Sequence, residues 1–251
     1  MQTNRYDDIA DLYDLHVTLD LDIPFYIAEA QRSGGKVLEL MAGTGRVSVP
    51  LVEAGIELTC VDVSEGMLAR LRAKLGARRL SATVYRADIR ELDLHERFAL
   101  AIIPFHSFSE ITSPADAERA LGSVVRHLSA DGRLIVPLHN PVVRLRDVDG
   151  ALRLTSVDAI DGGGLVVSGF ERFDPQTRIV TRTQFYEQFD ERGRLESKRL
   201  LPMTFRLIWP EEFEALATRA GLKREDLYGD YNYADFDEQR SPFMIWVLRC
   251  R

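Results

Sequence analysis

The sequence predicts an α/β fold, a mostly parallel sheet with helices on both faces and a late antiparallel β insertion, and three observations support it. Short apolar runs alternate with amphipathic stretches from Val37 to Pro137, the rhythm of strand and helix units laid around a parallel sheet. From Ala151 to Ile208 the pattern changes: valine, threonine, phenylalanine and tyrosine alternate with polar residues, as strands with one buried face require. With 251 residues, 45% of them hydrophobic, the chain can bury one sizeable core. One domain with an insert follows, residues 1–150 and 209–251 forming the main unit and residues 151–208 the insertion.

In chain order, strands are expected at Lys36–Leu40, Glu57–Asp62, Ala82–Arg86, Leu100–Ile103 and Arg133–Leu138. Helices follow the first and second of these, at Gly45–Ala54 and Ser64–Leu75, and another at Pro114–Leu128 precedes the fifth. Asp131-Gly132 reads as the turn into the fifth strand, glycine supplying a positive φ. Within the insertion, Asp161-Gly162-Gly163-Gly164, Asp174-Pro175 and Glu191-Arg192-Gly193 punctuate the runs, as turns between strands do. Pro210 suits the first turn of a helix reaching Ala220, with Gly221 as its C-terminal cap. Strands at Lys223–Gly229 and Pro242–Leu248 close the chain and bring the main sheet to seven.

Composition excludes several classes of partner. The net charge of -7 disfavours nucleic acid, whose binders need a basic face that releases counterions. Arg70, Arg72, Lys74, Arg78 and Arg79 interleave with Leu68, Leu71 and Leu75, which describes the wet side of an amphipathic helix. The two cysteines, Cys60 and Cys250, supply neither a disulfide framework nor a metal site and suit a reducing compartment, so a cytoplasmic location is expected. Met1–Asp14 is acidic and polar, and no stretch of 18 apolar residues occurs, which disfavours secretion and membrane spanning.

The chemistry concentrates in Val37-Leu38-Glu39-Leu40-Met41-Ala42-Gly43-Thr44-Gly45-Arg46, a strand holding an acid and followed by a glycine turn into a helix. Gly43 and Gly45 let backbone approach a ligand, and Glu39 can accept hydrogen bonds from a cationic amino group. Asp62 ends the next strand, where a carboxylate can accept both hydroxyls of a ribose. A glycine turn alone also approximates a dinucleotide fingerprint, so a nicotinamide or flavin oxidoreductase is an alternative. Glu39, the long insertion and the closing strand pair argue against it. Asp62 has a capping alternative too, for which Ser64 is better suited.

Glu39 through Arg46 resembles the first motif of the class I S-adenosylmethionine (SAM)-dependent methyltransferases, with Met41 where that family has its first glycine. Asp62-Val63-Ser64 with Met67 resembles the second motif, whose acid holds the ribose and whose apolar neighbours flank adenine. Arg86-Ala87-Asp88-Ile89 is similar to the third, whose aspartate accepts from the adenine amino group. Pro104-Phe105-His106-Ser107 stands where the family borders the transferred methyl. The resemblance implies a Rossmann-like fold, SAM as cofactor and S-adenosylhomocysteine as product, with Ala42, Arg46, Ala87, Ile89, Pro104 and Phe105 joining the residues above around the cofactor. Tyr6–Asp14 and Asp22–Tyr26 resemble a segment that folds over the cofactor in small-molecule members, so that Tyr13 and Tyr26 are expected to offer hydroxyls to its methionine part or to the acceptor.

His106 and His139 lie just past strand ends, on the side where open α/β sheets bind ligands, and with Tyr13 they are the catalytic candidates. A neutral structural histidine is the competing reading for both. His16, His95 and His127 read as surface or helix positions. Phe105, Phe108, Tyr186, Tyr231 and Tyr233 are candidates for an acceptor pocket or for plain core. The insertion is similar to the auxiliary sheet of glycine and sugar-amine N-methyltransferases, which implies a small-molecule acceptor with an N or O nucleophile, in secondary metabolism. A non-catalytic SAM-binding regulator is a further alternative, and the choice between monomer and homo-oligomer stays open.

Overall fold

The computed structural model describes residues 5–160 and 162–251. Its helices are α1 (Tyr13–His16), α2 (Ile23–Ser33), α3 (Ser48–Glu53), α4 (Glu65–Ala77), α5 (Pro114–Arg126), α6 (Pro141–Arg144) and α7 (Pro210–Arg219). Strands β1 (Val37–Leu40), β2 (Leu58–Asp62), β3 (Thr83–Arg86), β4 (Phe98–Ile102), β5 (Leu128–His139), β10 (Leu222–Tyr228) and β11 (Phe243–Cys250) form one sheet. Its order is β10-β11-β5-β4-β1-β2-β3, parallel except for β11, which runs against both its neighbours. The second sheet is an antiparallel meander of β6 (Arg153–Ile160), β7 (Gly163–Asp174), β8 (Ile179–Asp190) and β9 (Leu195–Arg206).

Burial follows from this layering. Helices cover both faces of the larger sheet, so every residue of β1 is buried, whereas residues along β7 alternate between buried and partly exposed as a one-sided sheet requires. Leu38, Leu40, Phe98, Trp246 and Phe213 pack on one face, and Val37, Cys60, Leu71, Leu100 and Val247 on the other. The inner face of the meander, through Leu165, Val167, Tyr186 and Leu201, packs on Ile9, Leu12 and Met67. It thereby holds the N-terminal segment against α4.

Local signals set the helix ends. The Ser64 hydroxyl accepts from the Met67 amide at 3.1 Å and caps α4, and Ser113 does the same for α5 through the Asp116 amide. Pro210 opens α7, and Gly221, at φ +87°, ends it.

Three expectations are corrected. Asp131-Gly132 is not a turn before the fifth strand: β5 runs unbroken through it, with an irregular register against β4 between Phe98 and Leu100. Gly132 is required there for space, since a Cβ would meet the Ser129 backbone at 2.9 Å. His127, expected at a surface or helix position, does end α5 but is buried there rather than at the surface: its ring bridges the Ser123 carbonyl at 2.8 Å and the Leu94 amide at 3.1 Å. Helix α2 is absent from the elements the sequence predicts, because the acid Glu29 interrupts its apolar stripe. Glu29 is fully buried and neutralised by Arg133 at 2.6 Å and Arg32 at 2.9 Å, and accepts from the Tyr233 hydroxyl at 3.0 Å. No described helix is long and apolar enough to cross a membrane.

Candidate active site

Strand order reverses between β1 and β4, the point of an open α/β sheet where ligands enter outside the carboxyl ends of the strands. The turn after β1, the end of β2, the turn after β3 and the loop after β4 converge there. They line a cleft that includes Met41, Gly43, Asp62, Val63, Met67, Ala87, Asp88, Ile89 and Phe105, with Tyr6, Tyr13 and Glu110 over it.

Asp62 organises the cleft. One carboxylate oxygen accepts from the Gly43 amide at 2.8 Å and the other from the Ser64 amide at 2.8 Å. An ionised carboxylate offers about four lone-pair sites, so acceptor capacity remains. Burial raises its pKa, and the Ser64 and Gly43 amides oppose the rise. Asp88 is held differently: the Arg90 side chain grips both its oxygens, the Arg90 amide donates at 2.9 Å, and the guanidinium beside it lowers its pKa. Arg90 is anchored in turn by Asp116 at 3.1 Å.

Glu39, in β1, is 1% exposed, and its Oε2 has no hydrogen-bond partner among the described residues. Desolvation pushes its carboxyl up to about 8. A buried oxygen of this kind is costly unless a donor meets it.

The turn between Glu39 and Arg46 holds two surprises. Met41 adopts a left-handed φ of 57°, the conformation that favours glycine at this position; its side chain is accommodated by lining the cleft. Gly45, at φ +83°, serves packing: a Cβ there would lie 2.3 Å from Leu71 Cδ1 on α4, away from the ligand space. At Gly43 nothing lies within 4 Å of an added Cβ, and its backbone does face the cleft. Ala42 and Pro104 are buried and line neither this cleft nor its neighbour.

A strap of acids closes the cleft from the N-terminal side. Asp7 accepts from the Ser64 hydroxyl at 2.9 Å and the Gly66 amide at 2.6 Å; Asp14 accepts from Thr44 at 2.6 Å; the Tyr6 hydroxyl donates to Glu110 at 2.7 Å. Asp22 takes the Arg46 guanidinium in a bidentate pair at 2.5 and 2.6 Å, and that guanidinium also lies 4.9 Å from the Phe105 ring centroid. Arg46 therefore pins the strap. Tyr26 is completely buried against Phe25 and Tyr231 and lines neither cavity, while Tyr13 does line the cleft, where burial holds its hydroxyl well above the usual range.

A second cavity of about 290 Å³ shares Tyr6, Phe105 and Glu110 with the cleft. His106 and His139 line it, ring on ring with centroids 4.0 Å apart, together with Tyr231, Phe205, Phe243, Arg144 and Arg182. Burial depresses the His106 pKa to about 3, and burial and the adjacent His106 push His139 well below its usual value, so both rings are neutral at pH 7. Nδ1 of His106 is buried without a hydrogen-bond partner among the described residues. Phe105 and His106 are consecutive left-handed residues, φ 59° and 61°, a conformation that costs on the order of 1–2 kcal/mol per residue; Phe105 borders both cavities and His106 the second. Of the aromatic candidates, Phe105 and Tyr231 reach a cavity. Phe108 packs on Phe213, Tyr186 on His16, and Tyr233 on Phe25.

Residues 37–132 match a family model described as a methyltransferase domain. The chain is 30% identical over 204 residues to the putative methyltransferase YqeM of Bacillus subtilis, covering 78% of this chain and 77% of that protein. It belongs to the class I SAM-dependent methyltransferases. The nicotinamide reading of the glycine turn is thereby set aside. The chain is also 26% identical to a glycine/sarcosine N-methyltransferase of Parasynechococcus marenigrum over 239 residues, 94% of this chain and 78% of that one. In fold it is similar to the CcbJ methyltransferase from Streptomyces caelestis, with a TM-score of 0.85, 24% identity and coverage of 100% and 99% of the two chains.

Sequence reasoning about the methyltransferase site misses Glu110, Arg144, Arg182, Phe205 and Phe243. Glu110 carries a faint signal, an acid in the loop after β4; the others come from separate segments that no local motif unites.

Proposed function

We propose that this methyltransferase moves the methyl group of SAM to an amine nitrogen of a small-molecule acceptor, in the cytoplasm. The observation that carries the reading is the junction at Phe105, where a cleft rich in fixed acceptors meets an aromatic cavity with two neutral imidazoles. When bound, SAM supplies a methyl already activated on a sulfonium. The unpartnered Glu39 oxygen suits the methionine ammonium, the remaining lone pairs of Asp62 suit the ribose hydroxyls, and Asp88 suits the adenine amino group. Val63, Met67, Ala87 and Ile89 offer apolar surface to the base. Gly43 gives the methionine part access to backbone, and Tyr13 covers it.

The acceptor side favours nitrogen over oxygen. A hydroxyl benefits from a general base tuned near the working pH, and an imidazole with its pKa near 3 is far from that. An amine attacks with its own lone pair once its proton has left, and holding two reactants in attack geometry removes on the order of 7–11 kcal/mol of barrier. The similar glycine/sarcosine N-methyltransferase supports an amine. The test is transfer from methyl-labelled SAM to matched amines and alcohols by wild type and by a His106→Ala/His139→Ala double variant. Amines are expected to be methylated, with the double variant slowed less than about 100-fold, the lower bound of general-base contributions. Alcohols methylated in preference, or a slowing of several orders of magnitude with cofactor binding intact, would overturn the assignment.

A further inference from the structure

The cavity beside the cofactor cleft is electrically polarised along its length. At one end it shares Tyr6, Phe105 and Glu110 with the cleft. Its other wall carries Arg144 and Arg182, which also border a third cavity under the meander that has no residue in common with the cleft. Among the described residues the two guanidiniums share one ion-pair partner, although Asp147 also borders the third cavity. Glu171 pairs with Arg144 and stands 3.5 Å from Arg182, and all three side chains are largely buried, at 16%, 27% and 13% exposure. Two buried cations on one anion leave a positive end, and such charge is disfavoured until a counter-ion meets it. Its field reaches the histidines, since Arg144 adds to the lowering of both rings.

Between the two ends the walls are apolar: Met203, Phe205 and Phe243, with Leu19 and Leu21 of the strap. Leu19 and Leu21 are about half exposed, at 52% and 51%, although they border a cavity, so a ligand with an apolar body would cover surface the protein leaves wet. A volume of about 290 Å³ is many times the 10–15 Å³ or so that one water needs, which points to something larger than the smallest amino acids.

We propose that the acceptor is an amino carboxylate with an apolar middle: its amine is presented at Phe105, His106 and Glu110, and its carboxylate is received by Arg144 and Arg182. The assignment rests on the N-methyltransferase reading above. Arginine suits this role because its planar fork meets a carboxylate bidentately, and the Phe205 ring, 5.7 Å from the Arg144 guanidinium carbon, keeps one fork in place.

The experiment is calorimetric titration of the S-adenosylhomocysteine-loaded protein with a length series of ω-amino carboxylic acids and (aminoalkyl)benzoic acids, each beside its carboxamide. At the best length the acid is expected to bind about tenfold or more tighter than its amide, the range of a charge-assisted hydrogen bond. Arg182→Gln should erase that preference and leave S-adenosylhomocysteine affinity unchanged, and Arg182→Lys should restore part of it. Arg144→Gln serves as the second variant should Arg182→Gln fail to bind the nucleoside. Equal binding of acid and amide, no binding by any member, or a preference that survives both glutamine variants overturns the proposal. Failure of the wild type to bind S-adenosylhomocysteine would instead sink the methyltransferase site, so the two failures are distinguishable.

Discussion

The end of β1 and the wall of the meander solve the same problem, holding a charged group against a ligand, by opposite means. Around β1 the groups come from one contiguous turn and the strand ends beside it, and backbone amides fix them: Asp62 is tied to Gly43 and Ser64. Along the meander, Arg182 of β8, Glu171 of β7 and Arg144 of α6 meet through side chains alone. Backbone-fixed chemistry is local in sequence and tolerates little change. Side-chain-fixed chemistry is scattered and can be redrawn without disturbing the fold, which suits one shared cofactor facing a variable acceptor.

The hardest blow to this arrangement should come from the strap. Asp22→Asn leaves the Arg46 guanidinium largely buried without its counter-charge, and breaking such a pair costs about 3–5 kcal/mol. Denaturant unfolding should show the loss, accompanied by weaker S-adenosylhomocysteine binding. Stability within 1 kcal/mol or so of wild type would mean that the Leu19 carbonyl, also bonded to Arg46 at 2.7 Å, suffices.

Next comes the backbone-fixed carboxylate. Asp62→Ala removes charge-assisted hydrogen bonds of about 1.5–3 kcal/mol, so calorimetric affinity for S-adenosylhomocysteine should fall about 10- to 150-fold. Unchanged affinity would remove Asp62 from the site. Arg182→Gln should leave the same titration untouched, which is the contrast between the two regions in one experiment.

A smaller and pH-dependent effect belongs to Glu39. Its folded pKa of about 8 lies above the ordinary value near 4.3, so the cofactor-free folded protein keeps a proton that the unfolded chain has released. Stability therefore declines as pH rises from about 4 towards 8 and levels off above. Cofactor affinity runs the other way, strengthening by up to about tenfold per pH unit until pH 8, because the ammonium needs the carboxylate. Glu39→Gln should flatten both profiles in melting and titration series; a wild type already flat between pH 5 and 8 would contradict the buried, protonated carboxyl. The smallest effect should fall on the outer face of the meander, where Leu200 is 50% exposed: Leu200→Thr should change unfolding free energy by less than about 0.5 kcal/mol, and a larger loss would show that this face is packed in solution.

The legibility of the sequence divides along the same line. Six strands of the main sheet are legible within about two residues of their observed bounds, the central β1, β2 and β4 as apolar runs and α4 and α5 through their Ser64 and Ser113 caps, whereas β5 begins at Leu128, ahead of the expected Arg133. That Asp62, Asp88 and Gly43 meet at one cleft is legible for the same reason, since strand ends sit at fixed offsets. Gly45 misleads, because a glycine needed to clear Leu71 looks, in sequence, like one needed to approach a ligand. Helix α2 is hidden by Glu29, which pairs with Arg32 on its own helix but also with Arg133 and Tyr233, some 100 and 200 residues away. The wall of the second cavity leaves no motif at all, because Arg144, Arg182, Phe205 and Phe243 become neighbours only when the meander folds over the cleft.

The most direct test is a crystal structure of the protein with S-adenosylhomocysteine. The ribose hydroxyls are expected on Asp62, the amino group at Oε2 of Glu39, and the sulfur facing Phe105 at the mouth of the histidine-lined cavity. A ligand bound elsewhere, or one whose sulfur points away from that cavity, would contradict this placement.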